Sequence, residues 1–191
     1  MGLKSLWSVP PCHIKESMMS TEGEGAVKTK ASEVRISHLK RREIQAPIIA
    51  SLIKGFAKEI GYDKAIEIAE KVIREDAISS GKKLAQKFAR NTLTELSKVV
   101  TEVWAEDGAM RIEMNTESDN ELFFDVTYCA YAEMYAKLGI KELGFILSCS
   151  RDFPFIEGFN AEIELRRTKT LMEGDDCCDF RYAKRGRSVT T

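Results

Sequence analysis

The hydrophobic period of this chain changes once, near its middle, and that switch limits the possible folds more than any other feature. From Ile36 to Asp107 apolar residues recur at helical spacing, whereas from Ala109 onward they mostly alternate. Side chains repeat about every 3.6 residues on a helix and about every 2 on a strand. A chain that uses the first pattern and then the second builds a helical layer and covers a sheet with it.

Within the helical half, Pro47 suits a first turn, and Ile48, Leu52, Ile53 and Phe56 form an apolar stripe that Gly61 stops. Asp63 can cap a second helix carrying Ile66, Ala69, Val72, Ile73 and Ala77, with Gly81 ending or bending it. Asn91 or Thr92 caps a third, with Leu93, Leu96, Val99, Val100 and Val103 turned inward. After Ala109, alternation through Met110, Ile112 and Met114, then through Leu122, Phe124 and Val126, frames the connector NTESDN and predicts a hairpin. Helices return over 131–138 and 141–147. The run CSRDFPFIEGFN reads as a loop, because Pro154, Gly158 and Asn160 are turn formers. AEIELRRTKTLM alternates through Ile163, Leu165, Arg167 and Lys169, and DFRYA reads as a last strand. The fold class is therefore α+β, with an N-terminal helical layer packed on a small, mainly antiparallel sheet. Residues 1–35 are expected as a flexible tail, with Met18 or Met19 as alternative starts. Residues 36–183 form a single domain, and 184–191 a second flexible tail.

Charge narrows the partners. Lys and Arg number 29 against 30 for Asp and Glu, a balance with no global attraction for nucleic acid or an anionic membrane. A charged ligand must then be held by a local cluster, so the expected partner is a small-molecule substrate. The two long helices offer faces through which a homo-oligomer would form. Neither a secretory signal nor a membrane-length apolar run is present, which places the protein in the cytoplasm. In that compartment the five cysteines are thiols rather than a disulfide framework.

Reactive and turn-forming residues concentrate after Tyr128. Cys129 lies where a strand hands over to a helix, Cys149 follows the helix 141–147, and Asp152 is three residues further on. Cys178 and Asp179 sit in GDDCCDFRY, between two strands. Element ends of this kind are where a rigid scaffold presents its chemistry. Each residue also has a plain structural role, since free cysteine usually packs as a small apolar residue and aspartate often caps turns. One of Arg166 and Arg167 should face solvent. Both histidines, His13 and His38, are remote from these thiols in the chain, which argues against a Cys–His dyad.

Three runs, HLKRREIQAPIIASLIKGFAKEIG, DVTYCAYAEMYAKLGIKELGFILSCSRDFPFIEGFN and ELRRTKTLMEGDDCCDFRY, resemble the L-2-amino-thiazoline-4-carboxylic acid hydrolase family. The specific elements are Cys129, the C-x-x-D of Cys149 and Asp152, the GFN of 158–160, and Gly174, Cys178, Asp179 and Phe180 in the closing G-x-x-x-C-D-F. The resemblance implies a hydrolase of non-peptide carbon–nitrogen ring compounds, opening L-2-amino-thiazoline-4-carboxylate with water to N-carbamoyl-L-cysteine. Set against that chemistry, Cys149 is the candidate nucleophile, Asp152 its base, and Cys178 with Asp179 the remainder of the catalytic group. Arg151 or Arg181 would clamp a carboxylate and Asn160 would donate a hydrogen bond. The alternative is a divalent metal such as zinc on Cys129, Cys149 and Cys178, with an open position for water. A competing reading is a non-catalytic module that senses a small ligand or metal through the same cysteines.

Overall fold

The computed structural model describes residues 35–186. The expected N-terminal tail, with Cys12 and His13, and most of the C-terminal one lie outside them.

Helix α1 (His38–Ile60) begins well before Pro47, because the Ser37 hydroxyl accepts the Lys40 N–H and caps the first turn. Pro47 is tolerated inside the helix, on an exposed turn. Gly61, at φ 87°, ends α1 and opens α2 (Tyr62–Ala85), which runs straight through Gly81. The buried faces are made of small residues: Ala46, Ala50 and Ile53 on α1, and Ala65, Ala69, Ile73, Ala77 and Gly81 on α2. Hence, of the apolar stripe expected on α1, only Ile53 turns inward. Ile48, Leu52 and Phe56 are 53–65% exposed, and Val72 on α2 is 58% exposed.

Thr92 and Glu95 form a reciprocal capping box on α3 (Leu93–Lys98), which continues as one π-helical turn, Val99–Trp104. The hairpin follows: β1 (Met110–Glu117) pairs antiparallel with β2 (Glu121–Cys129), β1 taking the first half of the expected connector. Next come α4 (Ala130–Lys137) and α5 (Lys141–Leu147), then a 3₁₀ turn over Cys149–Arg151 leading directly into α6 (Asp152–Phe159). The run expected as a loop is thus helical up to Phe159, with Asn160 as its cap. Pro154 lies within the first turn of α6, where a missing N–H costs nothing. Gly158 serves packing, for a Cβ there would stand 2.1 Å from the Ile78 carbonyl oxygen, and one on Gly81 would stand 2.2 Å from that of Phe155. Helices α2 and α6 therefore touch backbone to backbone. Strand β3 (Ile163–Arg166) is shorter than the alternation suggested, and β4 (Cys178–Lys184) closes a wholly antiparallel sheet of order β1-β2-β4-β3.

Two apolar cores result. One lies between the sheet and α3 and α6, around Phe124, Phe159, Phe180 and Tyr182. The other lies among α1, α2, α4 and α5, around Ile73, Tyr135, Leu143 and Met172. At roughly 1.5–3 kcal/mol for each large side chain fully buried, these cores dominate the favourable side of folding. Cys129 and Met110 pack against both, marking the seam where they meet.

Candidate functional site

The seam is where the polar chemistry collects. Arg167 follows β3 with the inward parity of Ile163 and Leu165, and its side chain is only 3% exposed. Its guanidinium pairs with the Asp152 carboxylate, donates to the Cys149 carbonyl at 3.2 Å, and lies 5.2–6.0 Å from the ring centres of Phe145, Phe153 and Phe180. A charge so enclosed needs its partner. Burial pushes the Asp152 carboxyl upward, against the pull of Arg167. Tyr182, fully buried, presents a hydroxyl with no hydrogen-bond partner among the described residues, near enough to feel the charges of Asp152 and Arg167.

The thiols converge here as well. Cys149 feels the charges of Asp152, Arg167, Cys129 and Cys178. Burial, then Asp152, pushes the Cys149 thiol far up, and burial raises Cys129 and takes Cys178 to about 11. Each is thus a neutral S–H at neutral pH. The Cys129 sulfur meets backbone N–H groups of Tyr131 and Ala132 at the start of α4, and Leu171 N–H donates to Cys178 Sγ at 3.2 Å.

Beside this cluster a half-open cleft of about 400 Å³ runs between α1, α2 and the turn before α6. Arg42, Ile48, Val72, Asp76, Tyr135 and Arg151 line it. Arg151 is buried and pairs with the exposed Asp76, while Arg42 makes no ion pair or side-chain hydrogen bond among the described residues. Within electrostatic reach of Arg42 and Arg151, His38 meets Tyr131, which donates to the Trp104 carbonyl at 2.9 Å and lies 2.9 Å from His38 Nδ1. With that hydroxyl proton spent, Nδ1 must carry the imidazole proton, which leaves Nε2 as the basic nitrogen. Burial, helped by Arg42, Arg41 and Arg151, lowers His38 to about 3, so the ring is neutral.

Residues 41–182, which contain all of these groups except His38, match the L-2-amino-thiazoline-4-carboxylic acid hydrolase family. The chain belongs to that family. No curated protein is a significant match to it. Among solved structures it is similar to the phenol-responsive sensory domain of the transcription activator PoxR, at 10% identity and a TM-score of 0.47, over 72% of this chain and 73% of that one. It is also similar to a trafficking protein particle complex subunit 3 from Naegleria fowleri, solved covalently bound to palmitic acid, at 13% identity and a TM-score of 0.47, over 76% and 95%. Likeness of that degree carries no argument about function.

In this hydrolase-family chain the candidates separate. Cys149, Asp152, Cys178 and Cys129 share one neighbourhood, and Arg151 reaches the adjoining cleft. Asp179 and Arg181 occupy the opposite parity on β4 and face away from it. Asp179 accepts from Thr168 N–H, Thr168 Oγ1 and Lys169 N–H, tying down the segment after β3. Arg181 pairs with Asp125 at 2.7 Å on the outer face of the sheet. Asn160 caps the end of α6, donating to the Asn91 carbonyl and accepting from Glu162 N–H, so its hydrogen bonds hold the chain rather than a ligand. Among the described residues, no group of three or more His, Cys, Asp and Glu is arranged to hold a metal ion.

Sequence did not assign Arg167, Tyr182, Arg42 or His38 to the site. Strand parity could have found the first two, because Ile163, Leu165 and Arg167 share one face and so do Cys178, Phe180 and Tyr182. Nothing local could have found the others, which reach the site only through the packing of α1.

Proposed function

We propose that this chain is a hydrolase that opens the ring of a cyclic, amidine-like thiazoline carboxylate. L-2-amino-thiazoline-4-carboxylate is the reference substrate and N-carbamoyl-L-cysteine the product. Family membership supplies the reaction class. The observation that carries the reading is the ion pair of Asp152 with the enclosed Arg167, within electrostatic reach of an unpartnered Tyr182 hydroxyl, with Asp152 directly following Arg151 of an arginine-lined cleft. Asp152, raised by burial, serves as a general base for water, since a carboxyl moved toward neutrality is a better proton acceptor. Tyr182 orients the water or the tetrahedral centre. The water oxygen bonds to the ring carbon while one of its protons passes through Asp152 to the ring nitrogen. The carbon–sulfur bond then breaks as the second proton reaches the departing sulfur, leaving a carbamoyl group on nitrogen and a free thiol. Cys149, held as S–H, fits a wall or proton-sharing neighbour better than a resting thiolate nucleophile. The protonated thiols also favour a second reading, in which the same pocket binds a ligand without turnover.

One assay separates the two. Purified protein is incubated with L-2-amino-thiazoline-4-carboxylate, and both free thiol and carbamoyl product are followed for wild type, Asp152→Asn and Cys149→Ser. Turnover lost by about 10²–10⁴ in Asp152→Asn and mostly kept in Cys149→Ser is expected for base catalysis by Asp152. Equal turnover in wild type and Asp152→Asn ends the catalytic assignment, and binding without product supports the second reading.

A further inference from the structure

The cleft beside the catalytic group is larger and more apolar than a bare five-membered ring acid requires. We infer that it selects a monoanionic carboxylate carrying an extended apolar body, the acid group lying between Arg42 and Arg151 and the apolar part along Ile48, Val72 and the neighbouring aliphatic wall. This rests on the proposed hydrolase reading only in naming the ligand a substrate; the binding itself stands on the cleft.

Charge sets the head group. Two guanidiniums and the single carboxylate of Asp76 line the cleft, and His38 beside them is neutral, so the local balance is one positive charge. Arg151 is already paired, whereas Arg42 is half-buried and unpaired among the described residues, and the two guanidiniums repel one another. A single carboxylate between them neutralises the pair and accepts the planar fork that guanidinium presents. A doubly charged phosphate would leave excess negative charge beside Asp76. Location supports the assignment, because Asp152 follows Arg151 in the chain and feels the charges of both arginines. An acid held there sits against the residue that precedes the base in the chain.

Size and lining set the rest. At about 400 Å³ the cleft lies within the ~300–1,000 Å³ range of small-molecule sites, which bury apolar bodies against a few placed polar groups. Ile48 and Val72 are 65% and 58% exposed, so this part of the lining is uncovered apolar surface that an alkyl or aryl substituent would bury. Each methylene buried there contributes about 0.8 kcal/mol, close to fourfold in affinity.

Calorimetric titration tests the inference on the full chain, using acetate, butyrate, hexanoate and octanoate, with octylammonium as the charge control. Affinity should rise about three- to fourfold per added methylene along the acids. Octylammonium should bind at least tenfold more weakly than octanoate. Arg42→Gln should weaken octanoate about tenfold or more, as the loss of one charge-assisted hydrogen bond implies, and Arg42→Lys should recover part of it. Val72→Gln should flatten the chain-length series while leaving acetate unchanged. Equal binding of octanoate and octylammonium, or full octanoate binding by a folded Arg42→Gln, overturns the assignment. So does no binding of any acid by a chain whose Ile48–Phe56 stripe is covered by a second copy in sedimentation. The hydrolase reading fails separately: acids that bind as expected with no ring opening sink catalysis alone, and turnover of the bare ring acid with no chain-length effect sinks only the cleft.

Discussion

Tyr182 and Arg167 make opposite demands on the same small volume, and substitution should separate them. A buried hydroxyl without a partner is a cost to the folded state, of about 1–3 kcal/mol. If its purpose is to meet the reacting water or substrate, Tyr182→Phe should leave thermal stability unchanged or raise it while ring opening falls. A drop in both would make the hydroxyl structural instead, and the assay together with a melting curve reads the difference. Arg167 should behave in reverse. Its removal strands the Asp152 carboxylate among aromatic rings, so Arg167→Ala should cost about 3–5 kcal/mol in chemical denaturation. The double variant Arg167→Ala/Asp152→Asn should recover part of that loss, because the stranded charge is gone. Additive losses would mean that the two groups are not coupled. Both residues hold inward parity that can be read from alternation alone, Tyr182 on β4 and Arg167 just past β3, but a reader of sequence discounts an arginine on a core face. What makes Arg167 tolerable there is Asp152, fifteen positions back along the chain at the start of a different element.

Among the elements, α6 shows how the local code misleads and what it protects. DFPFIEGF carries a proline and a glycine, both ordinary loop markers, yet it forms a helix because the proline falls in the first turn and the glycine faces another backbone. Proline is legible once the helix start is known, whereas the glycine is legible only from the α2 crossing. The α1 stripe misleads for a related reason. Periodicity locates an apolar face, but large residues mark the wrong one here, since Ala46 and Ala50 permit the close approach and Ile48, Leu52 and Phe56 remain outside. By contrast, a cap at Asn91 or Thr92, the hairpin and a last strand over DFRYA are local signals, and the structure has each, with Thr92 as the cap. The crossing has a measurable consequence. In a free helix Gly→Ala gains about 1 kcal/mol. At Gly158 the new Cβ would lie 2.1 Å from the Ile78 carbonyl oxygen, which is backbone and cannot swing aside. Overpacking of about 1–3 kcal/mol should therefore win, so Gly158→Ala lowers Tm. Because α6 begins at Asp152, displacing the helix should also cut ring opening. A stabilised Gly158→Ala would show that the two helices do not meet this closely.

For the whole domain, the buried groups at the seam limit stability from both sides of neutral pH. On the alkaline side, Cys178 is raised from 9.0 to about 11 and Tyr135 from 10.0 to about 12, both chiefly by burial. The unfolded chain releases those protons first, so the stability they contribute is complete below pH 9 and disappears as pH rises through 11 to 12. On the acid side, His38 is lowered from 6.5 to about 3, again chiefly by burial. The unfolded chain takes up that proton first, so stability is complete above pH 6.5 and falls as pH drops toward 3. Asp152 opposes this fall, because its raised carboxyl binds a proton more readily in the folded state. Taken alone, His38 should cost on the order of 3 kcal/mol between pH 6.5 and 4, or about 6–12 °C in Tm for a domain of this size, before the opposing contribution of Asp152. His38→Gln keeps a donor for Tyr131 and removes the titration, so its melting profile should lack the decline of the wild type. Asp152→Asn, which removes the opposing group, should steepen the decline. A His38→Gln profile that tracks the wild type would assign the acid limb to the carboxylates instead, and would mean that the histidine's protonation is not linked to the packing of α1 over the seam.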